Sequence, residues 1–152
     1  MTHLKIGDKA PYFEGNDQNG KLVTLDDFQG HKLVVYFYPK DNTPGCTNQA
    51  CNLRDNFSEL RAQNYQIVGI SADSVKSHKR FEQKYKLPFT LIADENKKII
   101  HDYGVWGEKK FMGRKFQGIH RITFLIDKDG NIEKIIDRVK TKNHTEQILS
   151  QD

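Results

Sequence analysis

The sequence predicts an α/β fold in which a central mixed β-sheet is flanked by helices, and three observations point to it. Short apolar runs rich in β-branched and aromatic residues alternate with stretches of helical periodicity. The last two such runs flank Lys128-Asp129-Gly130-Asn131, whose Asp-Gly is the strongest short-range hairpin signal. The chain has 152 residues, an ordinary length for one domain, and no linker, repeat or low-complexity tract divides it. Residues 1–152 are therefore read as a single domain.

Taken in order, residues 22–25 form the first strand-like run. Leu33-Val34-Val35-Tyr36-Phe37-Tyr38 is continuously apolar, as expected for a strand buried on both faces. Ala50, Leu53, Phe57 and Leu60 then recur at helical spacing, so a helix leaves this strand almost at once. Thr43 and Pro44 fit its N-cap and first position, because proline there loses only an N–H that the helix does not use. Residues 67–71 and 89–93 are further strands, with helices after Ser74 and over residues 97–103. Residues 104–118 are rich in glycine and lysine, with Trp106, Phe111, Met112 and Phe116 interspersed. They read as a long loop or irregular edge whose aromatics either fold inward or meet a substrate. Residues 122–127 and 132–137 make the closing hairpin, and Asn143-His144-Thr145-Glu146 starts a short last helix. A central sheet that ends in an antiparallel hairpin is thioredoxin-like.

Composition excludes several classes. Hydrophobic residues at 36% with 11% aromatics are too many for a disordered chain. The formal charge of +4 is mild, and no block of five like charges appears, so nucleic-acid binding would be weak and nonspecific. The first residues lack a basic start followed by an apolar core, and no run approaches the length of a membrane span. A cytoplasmic protein is expected. Disulfides in that compartment are normally transient and catalytic. Two cysteines without a second pair or a His-x3–5-His cluster do not assemble the usual zinc site, so neither metal nor cofactor is expected.

Both cysteines lie just beyond the 33–38 strand, and Cys46 falls in the first turn of the helix that follows. The chemistry is expected at this strand-to-helix junction. A thiol there faces unpaired backbone N–H groups and the positive end of the helix dipole, both of which favour thiolate. Free cysteine titrates near 8.5, whereas helix N-termini and nearby cations bring it to roughly 3.5–7.5. The plainer alternative, an inert buried thiol, fits poorly with the Thr-Pro-Gly approach and polar flanks. Cys51 follows five residues later, which is not the Cys-x-x-Cys spacing of a thiol–disulfide oxidoreductase. It reads either as a resolving thiol that condenses with an oxidised Cys46, or as a buried structural cysteine.

Pro39-x-x-x-Thr43-x-x-Cys46 resembles the active-site signature of the peroxiredoxins. Thr43-Pro44-Gly45-Cys46-Thr47-x-x-Ala50-Cys51 looks like its bacterioferritin-comigratory, or peroxiredoxin Q, branch. Tyr103-Gly104-Val105-Trp106-Gly107-Glu108-Lys109 and Gly118-Ile119-His120-Arg121 with the following strand also match segments of that branch, so the likeness covers nearly the whole chain.

The resemblance implies a thiol peroxidase acting on hydrogen peroxide and small organic hydroperoxides, with Cys46 peroxidatic and Cys51 resolving through an intramolecular disulfide. It implies that the Thr43 hydroxyl and the Cys46 N–H meet the peroxide, that Arg121 stabilises the thiolate and the developing charge, and that Pro39 shields the site from water. Gln49 stands where the branch carries Glu or Gln and is given an auxiliary role. Thioredoxin is the implied reductant, and a monomer or weak homodimer is expected. Without the resemblance, Arg121 reads as a surface cation, Thr43 as a helix cap, Pro39 as a strand terminator and His120 as a packing or surface residue. The rival functions are a thiol–disulfide oxidoreductase on the same fold and a non-enzymatic redox sensor or weak nucleic-acid binder.

Overall fold

The 33–38 run is the centre of the molecule, and its lack of alternation has a direct structural cause. In a computed structural model describing residues 2–151, it forms β3 (Lys32–Phe37), almost wholly buried. Leu33, Val35 and Phe37 face one apolar cluster, while Val34, Tyr36 and Tyr38 face another. Helices on both sides keep each face dry. The first cluster packs against α4 (Lys98–Asp102) through Ile99 and Ile100. The second takes residues from α1 (Pro44–Asp55), α2 (Phe57–Ala62), α3 (Val75–Tyr85) and α5 (His144–Leu149).

The remaining strands of the main sheet are β1 (Glu14–Asn16), β2 (Leu22–Thr24), β4 (Tyr65–Ser71), β5 (Thr90–Ala93), β8 (Thr123–Ile126) and β9 (Ile132–Ile136). Their order is β2-β1-β5-β4-β3-β8-β9, with β3, β4 and β5 parallel and the outer pairs antiparallel. This is the expected mixed sheet, with its closing hairpin turning at Gly130 (φ +89°). The strand β1 was not expected from the sequence. Only three residues long and partly exposed, it has no apolar run to reveal it.

Two other expectations are corrected. The single helix expected through Leu60 is broken at Asn56, whose backbone leaves helical geometry (φ −112°, ψ 17°) while its side-chain Nδ2 joins its own N–H on the Asn52 carbonyl. Residues 104–118 are not a loop. They form a two-stranded hairpin, β6 (Trp106–Phe111) and β7 (Arg114–Ile119). Met112 (φ +52°) and Gly113 (φ +79°) supply its turn, the positive-φ pair of a type I′ connection without the usual Asn-Gly. Its aromatics divide: Trp106 packs against the first apolar cluster, whereas Phe111 and Phe116 are 67% and 47% exposed.

The last helix is tied to the sheet through a buried imidazole. His144 Nδ1 donates to Gln147 Oε1, and its Nε2 receives the Thr123 hydroxyl at 2.9 Å on β8. Burial above all, with the charge of Arg121, pushes the imidazole down to about 4 despite the Gln147 bond. An unfolded histidine binds its proton near pH 6.5. The folded state is therefore at full strength above that pH and loses stability as pH falls from about 6.5 towards 4, by about 3 kcal/mol. Urea unfolding of His144→Gln should show a flatter pH profile across that window.

Candidate active site

At the end of β3 the chain bends through Pro39 and Lys40 and enters α1 with Thr43 at the N-cap and Pro44 at the first helical position, as expected. Cys46 is in the first turn and only 1% exposed, packed with the second apolar cluster. Thr43 does not cap with its side chain. Its hydroxyl donates instead to the Lys40 carbonyl at 2.8 Å, so its proton is committed and its lone pairs stay available. The early N–H groups of the helix are left without a side-chain acceptor.

Arg121, two residues upstream of β8, reaches this turn across a sequence separation of 75 residues. Its Nη2 donates to Cys46 Sγ at 3.4 Å and its Nη1 to Gln49 Oε1 at 2.8 Å. Arg121 is thus half-buried and no ordinary surface cation. Gln49 lies three residues after Cys46 on the same helical face and is 0% exposed. Its Oε1 receives the guanidinium, a contact in keeping with the auxiliary role expected of it. A Cβ on Gly45 would stand 3.1 Å from Arg121 Nη2, so the glycine lets the arginine approach the turn. Beneath them, burial and then the charges of Cys46 and Asp41 hold the Tyr36 hydroxyl far above its usual range, and it stays protonated.

The approach loop is anchored by a network that the sequence did not reveal. Asp41 accepts from Tyr38 Oη at 2.6 Å and from Ser77 Oγ at 2.8 Å. It also meets His78 Nδ1 at 2.7 Å, while its own N–H donates to Asp73. His78 is fully buried and spends its Nε2–H on the Ile92 carbonyl, so a proton lies between Nδ1 and the carboxylate. These residues are scattered over the segment just after β3, the loop, the segment just after β4 and α3. No local pattern links them; they meet only in the fold.

The other expected residues are placed as follows. Cys51 is a half-buried free thiol, five residues beyond Cys46 in the same helix. Pro39 is half-buried in the bend that terminates β3. His120 Nε2 donates to the Glu108 carbonyl, bracing the β6–β7 hairpin. Lys109 stands half-buried on that hairpin with its Nζ on the Ile119 carbonyl at 2.9 Å. Burial, and then the charge of Arg121, lowers its pKa, with Cys46 opposing.

The pattern of the AhpC/TSA family matches residues 6–135. The chain belongs to this family. Peroxiredoxin Bcp of Escherichia coli strain K12 is 52% identical over 150 residues, covering 99% of this chain and 96% of the relative. Peroxiredoxin Bcp of Bacillus subtilis strain 168 is 42% identical over 146 residues, covering 96% and 93%. Among solved structures, a cysteine-to-serine variant of Xylella fastidiosa PrxQ superposes with a TM-score of 0.90 at 32% identity, over 97% of this chain and 94% of that one. Xanthomonas campestris bacterioferritin comigratory protein, studied for its alkyl peroxide reduction, gives 0.84 at 34% identity over 90% and 87%. This AhpC/TSA protein is a thiol peroxidase of the Bcp type, on the thioredoxin-like fold expected from its sequence.

The Asp41 network has a measurable consequence. Asp41→Asn leaves a buried histidine without its charged partner and should lower stability to urea by about 3 kcal/mol. It should also slow the oxidation of Cys46, because the loop carrying Thr43 is no longer held. An unchanged unfolding midpoint and an unchanged rate would show that something else fixes this loop.

Proposed function

We propose that Cys46 is the nucleophile of this peroxidase and that it reduces hydrogen peroxide and small organic hydroperoxides. One observation carries the reading: a buried sulfur in the first turn of α1 receives a hydrogen bond from an arginine whose other partner is a neutral amide. The Cys46 thiolate attacks one peroxide oxygen. An S–O bond forms, the O–O bond breaks, and the leaving oxygen departs as water or an alcohol once it gains a proton. Arg121 and the backbone N–H groups of the helix start face the charge that moves along this axis. The Thr43 oxygen, with its own proton committed to Lys40, accepts from the peroxide O–H. Pro39 in the bend limits the access of water.

Cys51 then attacks the sulfenic acid at Cys46, expelling water and leaving a disulfide. Thioredoxin, a cytoplasmic location and a monomer or weak dimer complete the proposed cycle, in a chain whose described helices include none long and apolar enough to cross a membrane. Helix geometry constrains the second step. Five residues of α-helix separate two Cα atoms by about 8.7 Å, whereas a disulfide tolerates about 4.4–6.8 Å. Both cysteines lie in the single helix α1, so the bridge requires that helix to open.

Three measurements test this. Cys46→Ser should abolish peroxide reduction, while Cys51→Ser should still form a sulfenic acid that can be trapped. Equal loss of that first oxidation in both variants would reverse the assignment. Arg121→Ala should slow the first oxidation roughly 100-fold, the usual effect of removing one charge-stabilising donor; an unaltered rate would make Arg121 a bystander. Hydrogen exchange should show amides 47–54 losing protection in the disulfide form, and equal protection in both states would exclude an intramolecular Cys46–Cys51 bridge.

A further inference from the structure

The β6–β7 hairpin is a two-stranded sheet of its own and, among the described residues, pairs with no strand of the main sheet. Its base is tied down: Trp106 packs on the first apolar cluster, and Lys109 and His120 bond to the Ile119 and Glu108 carbonyls. Its far end is not. Met112, in the turn, is 86% exposed, more than any other large apolar side chain described. Phe111 precedes it, and the register places Phe111 and Phe116 on one face of the ribbon, diagonal to each other. Three large apolar side chains are thus gathered at one exposed tip, whereas scattered single ones would need no explanation.

The same tip is cationic. Lys110 and Lys115 stand directly opposite each other on the other face, and Arg114 is opposite Phe111. Like charges so placed repel and weaken the ribbon. The one acid of the hairpin, Glu108, lies 3.7 Å from Lys115 with both side chains well exposed, so it offsets little. Lys110 and Arg114 have no acidic partner among the described residues. Apolar side chains ringed by unpaired cations suit a surface that is apolar within and anionic at its rim.

A second copy of the chain does not supply such a surface, because a symmetric contact would set these cations against their own equivalents. A protein partner would need a concave acidic pocket to receive the turn. A lipid interface needs no such shape: acyl chains accept the apolar side chains, while headgroup phosphates surround the cations at the ends of their long stems. We propose that this tip docks on anionic lipid surfaces, with Phe111, Met112 and Phe116 entering the interface and Lys110, Arg114 and Lys115 on the headgroups. The docking is peripheral and reversible, since the apolar area is small, and it does not depend on the chemistry at Cys46.

Co-sedimentation of the reduced protein with vesicles tests it, comparing phosphatidylglycerol and phosphatidylcholine in equal parts with phosphatidylcholine alone. The partition coefficient should be about 100-fold higher on the anionic vesicles, from three cations at about fivefold each. It should fall towards the neutral value in about 0.5 M salt, where screening acts within roughly 4–5 Å. Lys110→Gln and Arg114→Gln should each lower it about fivefold. Phe111→Ser and Met112→Ser should each lower it about tenfold with charge unchanged. Lys76→Gln, which removes an exposed lysine of α3 beside β5, should leave it unaltered. Met112→Trp adds a reporter to the single native Trp106, and its emission should move to the blue on binding and be quenched by brominated lipid. All these variants alter exposed side chains and should keep the parent's urea midpoint. Equal binding to both vesicles, or binding to neither, overturns the proposal. A loss in Lys76→Gln as large as in Lys110→Gln also overturns it, since net charge would then explain the binding. Binding indifferent to both Phe111→Ser and Met112→Ser does the same, because the tip would not enter the interface. Self-association without vesicles that Met112→Ser abolishes would assign the tip to a second copy instead.

Discussion

A guanidinium taken out of water needs a negative partner, and the site is organised around how Arg121 finds one. Its two donors reach Gln49 Oε1 and Cys46 Sγ, with no carboxylate in the pair. Of these two acceptors only the sulfur can carry charge. In the proposed mechanism the cation and the thiolate are each other's compensation, in surroundings dry enough to strengthen their attraction. A carboxylate in place of Gln49 would compete for the arginine, whereas the neutral amide orients it and leaves its charge for the sulfur.

That contact depends on elements far apart in sequence. Cys46 is placed by α1, whose start is set by the bend after β3 and by the Asp41 network that ties this bend to α3. Arg121 is placed by β8, which pairs antiparallel with β3 so that Tyr36 stands opposite Thr123. The register of β3 and β8 therefore brings the arginine to the start of α1. A slip of one residue would send every side chain of β8 to the other face and remove the arginine from the sulfur.

The same construction reconciles rigidity with the opening that a Cys46–Cys51 bridge requires. The loop before α1 is held by charged, buried hydrogen bonds, and the sheet beneath it is packed on both faces. Within α1, Ala50 and Leu53 are buried, Asn52 is bonded to Thr145 on α5, and Cys51 is half-buried to one side. Opening the helix gives up those contacts while the sheet and its anchored bend stay in place. The reduced arrangement has the packing to re-form once the disulfide is cleaved.

Local chemistry determined what could be read directly from the chain. The continuous apolar run of β3, the Thr43-Pro44 helix start, the Asp129-Gly130 hairpin and the thiol at the junction are each set by neighbours within a few residues, and each was legible. The β6–β7 hairpin reads from sequence as a loop or irregular edge because its turn uses Met112-Gly113 and its strands expose Phe111 and Phe116, so neither turn chemistry nor apolar alternation announces it. The Asp41–His78 network, the contact of Gln49 with Arg121 and the placing of Lys109 near that arginine were beyond the sequence for another reason. Each joins side chains from separate elements, and whether a polar group there is solvated, paired or buried is decided only when the sheet brings those elements together.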